Sequence, residues 1–345
     1  MSLGTGSITV SGGGQVRFGG RGGNTVYTYT TANPIFLNQA TLVCSDGIQA
    51  LTGGVTVENG GATWLTAWGN KNLFINSPLG GTGAISINDQ SFGGGDTSRG
   101  IVRIASANNT YGGTITINGA SSGFQGGVLQ LENDTALVNA TVLNNNNTVA
   151  GLLFAVAAPQ LGALGGTGNV ALPATSLTVG GNGASTSHSG ILSGPGALIK
   201  SGNRPLTLGG PNTYSGPTSV EGGKLMVTGS IANSATTIAA AATLGGSGSI
   251  GGAVTCHGTL APGTSAGTLT LGNDLVLTTT SVLDFELGTV SDRVNVAGDL
   301  TLAGTLNVAA LPGFAAGGYT LFTYTAVLTD EEGLQITNLP YGFEA

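Results

Sequence analysis

The chain has 345 residues, of which only 7% are charged, against about 25% in ordinary soluble domains, and 63 are glycine. Nine Lys and Arg face 16 Asp and Glu for a formal net charge of −7, spread thinly along the length. That distribution speaks against a nucleic-acid partner and against a polybasic membrane patch.

With 40% hydrophobic residues the chain is too apolar for a disordered linker. The glycines show no collagen-like period, and no apolar run reaches the roughly 18 to 20 residues of a bilayer span, so no direct membrane insertion is expected. Nothing at Met1 resembles a charged segment followed by an apolar core, so no signal sequence is visible. Short strands separated by many tight turns satisfy both the apolar content and the glycine content, because glycine supplies the positive φ that such turns need.

The pattern opens with alternating strands at Ser7–Val10 and Gln15–Phe18, and a third at Thr25–Thr30 in which Val26 is out of phase with Tyr27 and Tyr29. Further strands are expected at Ile35–Leu37, Ala40–Cys44, Val55–Val57, Trp64–Trp68, Asn72–Ile75, Ala84–Ile87 and Gly100–Ile104. Asn144–Asn147 reads either as a polar turn or as part of an asparagine ladder that bonds coil to coil. Ala232–Ala242, the best helix candidate, is interrupted by Ser and Thr and flanked by glycine-rich turns, so it reads as strand and turn. From Leu244 onward the strands lengthen.

Two phrases recur at irregular spacing. One is Leu, small residues, Gly, then an apolar residue: LGTGSI at Leu3, LGGTGAI at Leu79, LGGTGNV at Leu164, LSGPGAL at Leu192 and LGGSGSI at Leu244. The other is NTYGGTITI from Asn109 and NTYSGPTSV from Asn212, each followed by Gly-Gly and a short strand. Such a degenerate repeat builds one supersecondary piece per unit, whose apolar face is buried only by its neighbours. No Pro-rich or charged boundary interrupts it, so one continuous solenoid over 1–345 is expected: divergent coils in 1–107, repeat-bearing coils in 108–243 and longer strands in 244–345.

Candidate chemistry is sparse. His188 lies in a Ser/Thr/Gly-rich stretch with no nucleophile or orienting carboxylate at a telling spacing, and Cys256 and His257 are neighbours that a strand would point to opposite sides. Cys44 and Cys256 read as buried small hydrophobes rather than a disulfide. Asp284 and Glu286 share a strand face and Asp292 follows the next turn, so a Ca²⁺ site there is the metal alternative to plain solvent-facing or turn-bonding carboxylates. No catalytic, cofactor or metal residues are assigned, and no cofactor is expected. A polysaccharide lyase or hydrolase would need clustered bases or acids, whereas the nine basic residues are dispersed. Trp64, Trp68, Tyr27 and Tyr29 form the alternative reading, an aromatic platform for surface glycans.

The stretch Ser193–Val227, with SGPGALIKSG, LTLGG, NTYSGPTSV and GGKLMV, resembles the autotransporter-associated β-strand repeat of bacterial surface and secreted proteins. The part from Leu244, including TLAPGTSAGTLTLG, LDFELG and SDRVNVAGDLTLAGTLNV, is similar to the region that commonly follows that repeat. The resemblance extends over about Asn108–Phe343 and implies an all-β fold, a right-handed parallel β-helix (β-solenoid) with little or no α-helix, extracellular or on the bacterial cell surface. It carries no catalytic residues. Coils of on the order of 20 to 25 residues are expected. The terminal coils of such a stack expose unpaired strand edges, and neither terminus shows an obvious cap, so two expectations stand level: a second copy pairs head to tail into a fibre, or the chain is one segment of a longer stalk.

Overall fold

The computed structural model describes residues 5–19, 28–60, 63–67, 71–88, 100–120, 126–147, 151–330 and 333–340. Among these residues there is no helix. The protein is a β-solenoid of parallel stacked coils. Its chain divides into two compact units, Met1–Leu177 and Thr178–Ala345.

In the first unit each coil contributes a short strand to each of up to three parallel ladders. One ladder runs Gln15–Phe18, Thr41–Cys44, Thr63–Ala67, Ile85–Asn88, Thr114–Ile117, Leu137–Asn144 and Gln160–Gly165. Alternation decides which side is buried: in Thr114–Ile117 the isoleucines are buried and the threonines half-exposed, and Ile115 sits in register between Ile85 and Val142. A strand with one apolar face has only one register that keeps that face inward. The second unit repeats the logic, with an inward column of Leu206, Leu225, Leu244, Leu260, Leu283 and Leu306 on successive rungs. Each such leucine contributes about 1.5 to 3 kcal/mol by leaving water.

Coil length is less uniform than a fixed repeat implies. Thr218 pairs with Thr236 across a short coil, whereas Ile85 pairs with Ile115 across a much longer one. A parallel ladder fixes only the strands, so turns of different length are accommodated at the corners. The stretch Ala232–Ala242 is strand and turn, as its composition indicates, with a strand at Thr236–Ile238.

The two recurring phrases are stacked on one another. Leu79 of LGGTGAI lies beneath Asn109 of the first NTY phrase, whose Oδ1 accepts the Leu79 N–H at 2.7 Å while its Nδ2 donates to Ala136 O at 2.8 Å in the next coil. Leu192 of LSGPGAL lies beneath Asn212 in the same way: the Leu192 N–H reaches Oδ1 at 2.9 Å, and Nδ2 donates to Ser230 O at 3.0 Å. Each asparagine is buried and ties three successive rungs together. The tyrosine two residues later is buried as well: Tyr111 Oη donates to Gly83 O at 2.6 Å, and Tyr214 Oη is 2.6 Å from Thr218 Oγ1.

The glycine of the Leu-x-Gly phrase has one recurrent task. Gly81, Gly166, Gly194 and Gly246 all take positive φ, at 92°, 100°, 101° and 108°. At Gly246 a Cβ would also stand 2.1 Å from Val227 O of the preceding coil, so rung spacing and backbone conformation both require glycine.

Candidate functional site

Among the described residues, several buried polar side chains are committed to backbone. Lys200 is buried, and its Nζ donates to the carbonyls of Ser201 at 2.5 Å, Gly202 at 3.0 Å and Gly222 at 3.0 Å, capping turns of adjacent coils. Burial lowers its pKa below the ordinary lysine value. In the asparagine run, Asn144 donates to Asn169 O at 3.1 Å and Asn146 to Gly127 O at 2.8 Å. The run thus joins coils as a ladder would, but through backbone carbonyls, while also forming a turn through the Asn146 N–H to Asn144 Oδ1 bond.

His188 is in a strand, Thr186–His188, and faces inward in register with Leu208 and Val227. Cys256 is buried while its neighbour His257 is exposed, and both cysteines are free thiols. Burial pushes the Cys256 thiol up to about 11. Trp64 and Tyr29 are both 37% exposed, but they stand in different ladders of the coil, with Trp64 beside Ser86 and Tyr29 beside Gln49. Trp68 and Tyr27 lie outside the described residues.

A notch of about 410 Å³ on the outer face of the second unit gathers several polar side chains. It arises from a column of outward positions. Met226 is followed on the next rungs by Gly245 and then Ala261, while the strand Val282–Leu287 beyond brings Asp284, in register with Asn307. Of these, the small side chain of Ala261 lines the notch. Lys224 forms one wall; its Cε lies 2.8 Å from where a Gly245 Cβ would be, so the lysine stem lies across that glycine. Asp284, Glu286 and Asn307 form the other wall, and Asn307 Nδ2 donates to Asp284 Oδ1 at 2.9 Å.

Asp292 shapes the remaining side. It is 1% exposed, with Oδ1 accepting the Gly267 N–H at 2.8 Å and Oδ2 the Glu286 N–H at 2.7 Å. Those bonds pin the turn Pro262–Gly267 to the strand that carries Glu286. Burial raises the Asp292 pKa, and the two backbone donors pull it back. With both carboxylate oxygens occupied, Asp292 is a turn-bonding residue. Among the described residues no group of three or more His, Cys, Asp and Glu is arranged to hold a metal ion. Glu286 differs: its Oε2 is buried and meets no donor in the protein.

Linear spacing groups Asp284, Glu286 and Asp292 but does not reach Lys224, Ala261 or Asn307. Those are remote along the chain and meet the acids only because the rungs stack; paired columns are the signal that locates them.

A scan against protein-family models gives no match. Over 99 residues the chain is 43% identical to a curated protein, the adhesin BmaC autotransporter of Brucella suis biovar 1 (strain 1330). The match covers 26% of this chain and 3% of that protein, so the chain spans a small fraction of its relative. The parallel coils and this likeness together fit an autotransporter-associated β-helix passenger.

Proposed function

We propose that this chain is a non-enzymatic scaffold of a cell-surface or extracellular adhesin-like passenger, and that it associates end to end with a second copy through an open rung. The adhesin likeness supports the first part. So does the use of buried polar side chains: Asn109, Asn212, Lys200 and Asp292 all bond backbone of neighbouring coils.

One observation carries the second part. The last described rung of the second unit places Tyr324, Leu328 and Ile336 in register over the buried Val296, Leu300 and Leu306, yet leaves them 44%, 42% and 42% exposed. These residues continue the inward columns, and among the described residues no further rung pairs with their strands. A coil with the same inward apolar columns is complementary to that surface, and this chain supplies such coils throughout.

Light scattering and negative-stain electron microscopy of the purified chain over a concentration series test the proposal. Concentration-dependent linear oligomers are expected, reduced in Leu328→Asp and Ile336→Asp. A monodisperse monomer throughout, or oligomers indifferent to both substitutions, would refute it.

A further inference from the structure

We infer that Asn108 and Asn133 are N-glycosylation sites, a neighbouring pair of sugar acceptors on consecutive coils of the first unit. The motif Asn-x-Ser/Thr occurs four times in the chain, at Asn108, Asn133, Asn139 and Asn146. Three residues recur by chance, so the geometry of each amide has to select among the four. Transfer of a sugar requires an Nδ2 that is not already bonded, on backbone that a transferase can engage outside a paired strand.

Asn146 fails the first condition: it is buried, and its Nδ2 donates to Gly127 O at 2.8 Å. Asn139 fails the second. It lies inside the strand Leu137–Asn144, and Thr141 of its motif is paired with Thr114 on one side and Ala163 on the other. Asn108 and Asn133 meet both. Asn108 is exposed and outside the strands, and among the described residues nothing bonds its side-chain amide. Asn133 forms an Asx turn in which its Oδ1 accepts the Thr135 N–H and the Thr135 Oγ1–H, both at 3.0 Å. That turn sets the hydroxyl of the motif against the reacting amide and leaves Nδ2 unbonded among the described residues. The two motifs are stacked: Thr135 Oγ1 lies 3.5 Å from Ala107 O, and Asn109 Nδ2 donates to Ala136 O at 2.8 Å.

The donor class is a glycosyl diphosphate. Nδ2 attacks the anomeric carbon, the new C–N bond forms as the C–O bond to the diphosphate breaks, and the diphosphate leaves with that electron pair. The transferase takes the proton that Nδ2 loses. Asn109, between the acceptor and the threonine of the first motif, is buried and keeps its bonds to Leu79 and Ala136, so a sugar on Asn108 leaves that staple intact.

The test isolates the protein from the surface of the cell that makes it and reads its peptides by tandem mass spectrometry. Sugar mass is expected on Asn108 and Asn133 and none on Asn146. A single monosaccharide marks a nucleotide-linked donor and a preassembled oligosaccharide a lipid-linked one. Asn108→Gln and Asn133→Gln should each remove one modification. Thr110→Val and Thr135→Val should abolish it at the unchanged asparagine, whereas Thr110→Ser and Thr135→Ser retain it. Circular dichroism reports whether the valine variants fold; where one does not, occupancy of the unaltered protein decides for that site. Either asparagine found bare is struck from the assignment. Both bare, sugar on Asn146 in their place, or modification that survives the folded valine variants would overturn it. None of these substitutions touches Leu328 or Ile336, and the inference does not rest on end-to-end association.

Discussion

Replacing Asn212 by alanine removes three hydrogen bonds from the interior of the second unit. Its Oδ1 accepts from Leu192 N–H at 2.9 Å, and its Nδ2 donates to Gly210 O and Ser230 O, each at 3.0 Å. The residue is fully buried, so no water replaces those partners. At about 1 to 1.5 kcal/mol for each bond, with an added cost for the orphaned Leu192 amide, the loss is about 3 to 5 kcal/mol. Asn273→Ala is the control: that side chain is exposed and accepts only from the Asp274 N–H, so it should cost under about 1 kcal/mol. Urea unfolding gives the magnitudes and amide hydrogen exchange the location. Because solenoid stability is a sum of nearest-neighbour terms, protection should fall at Leu192 and in the coils next to it more than in distant ones. A loss below about 1 kcal/mol, equal to the control, with the Leu192 amide still protected, would refute the view that this asparagine staples the rungs.

Asp292→Asn should destabilise the second unit by about 1 to 3 kcal/mol, measured by urea unfolding, because an amide offers one acceptor to the two N–H donors of Gly267 and Glu286 and turns its NH₂ toward the other. Tyr214 sets an alkaline limit. Its pKa is pushed up to about 12 by burial, above the unfolded value of 10.0, so its contribution is full below pH 10 and is lost as pH rises through about 12. Melting temperature should fall across that window, and less steeply in Tyr214→Phe, in which the alkaline loss of about 3 kcal/mol from this group is absent. Gly246→Ala should lower the melting temperature sharply, since it combines positive φ with a 2.1 Å approach to Val227 O, whereas Gly183→Ala, at φ 71° with nothing within 4 Å, should cost only about 1 kcal/mol.

The strand class of this protein was legible along the chain because burial alternates with a period of two wherever one face of a ladder looks inward. Thr114–Ile117 and Leu206–Leu208 show it residue by residue. His188 was harder. Its surroundings of Ser, Thr and Gly suggest a loop, and only pairing with Leu208 turns it inward. The asparagine run was ambiguous for a related reason: an amide side chain suits an exposed turn and a buried staple equally, and the choice depends on whether a neighbouring carbonyl, here Asn169 O or Gly127 O, comes within reach. For Trp64 and Tyr29 the chain order conceals that a corner separates them, which places them in different ladders.

What the amino-acid order determined by itself was local: where strands alternate, that the many turns between them draw on glycine, and that the Leu-x-Gly and Asn-Thr-Tyr phrases belong to one grammar. Only stacking decided what those phrases do to one another. The Asn212 side chain meets Leu192 and Ser230, and Lys224, Ala261 and Glu286 line one notch, because parallel rungs bring distant residues to the spacing of one strand. Period-two alternation says which side of a strand is inward, but the length of chain in each corner sets which side chains share a column, and that length varies from coil to coil.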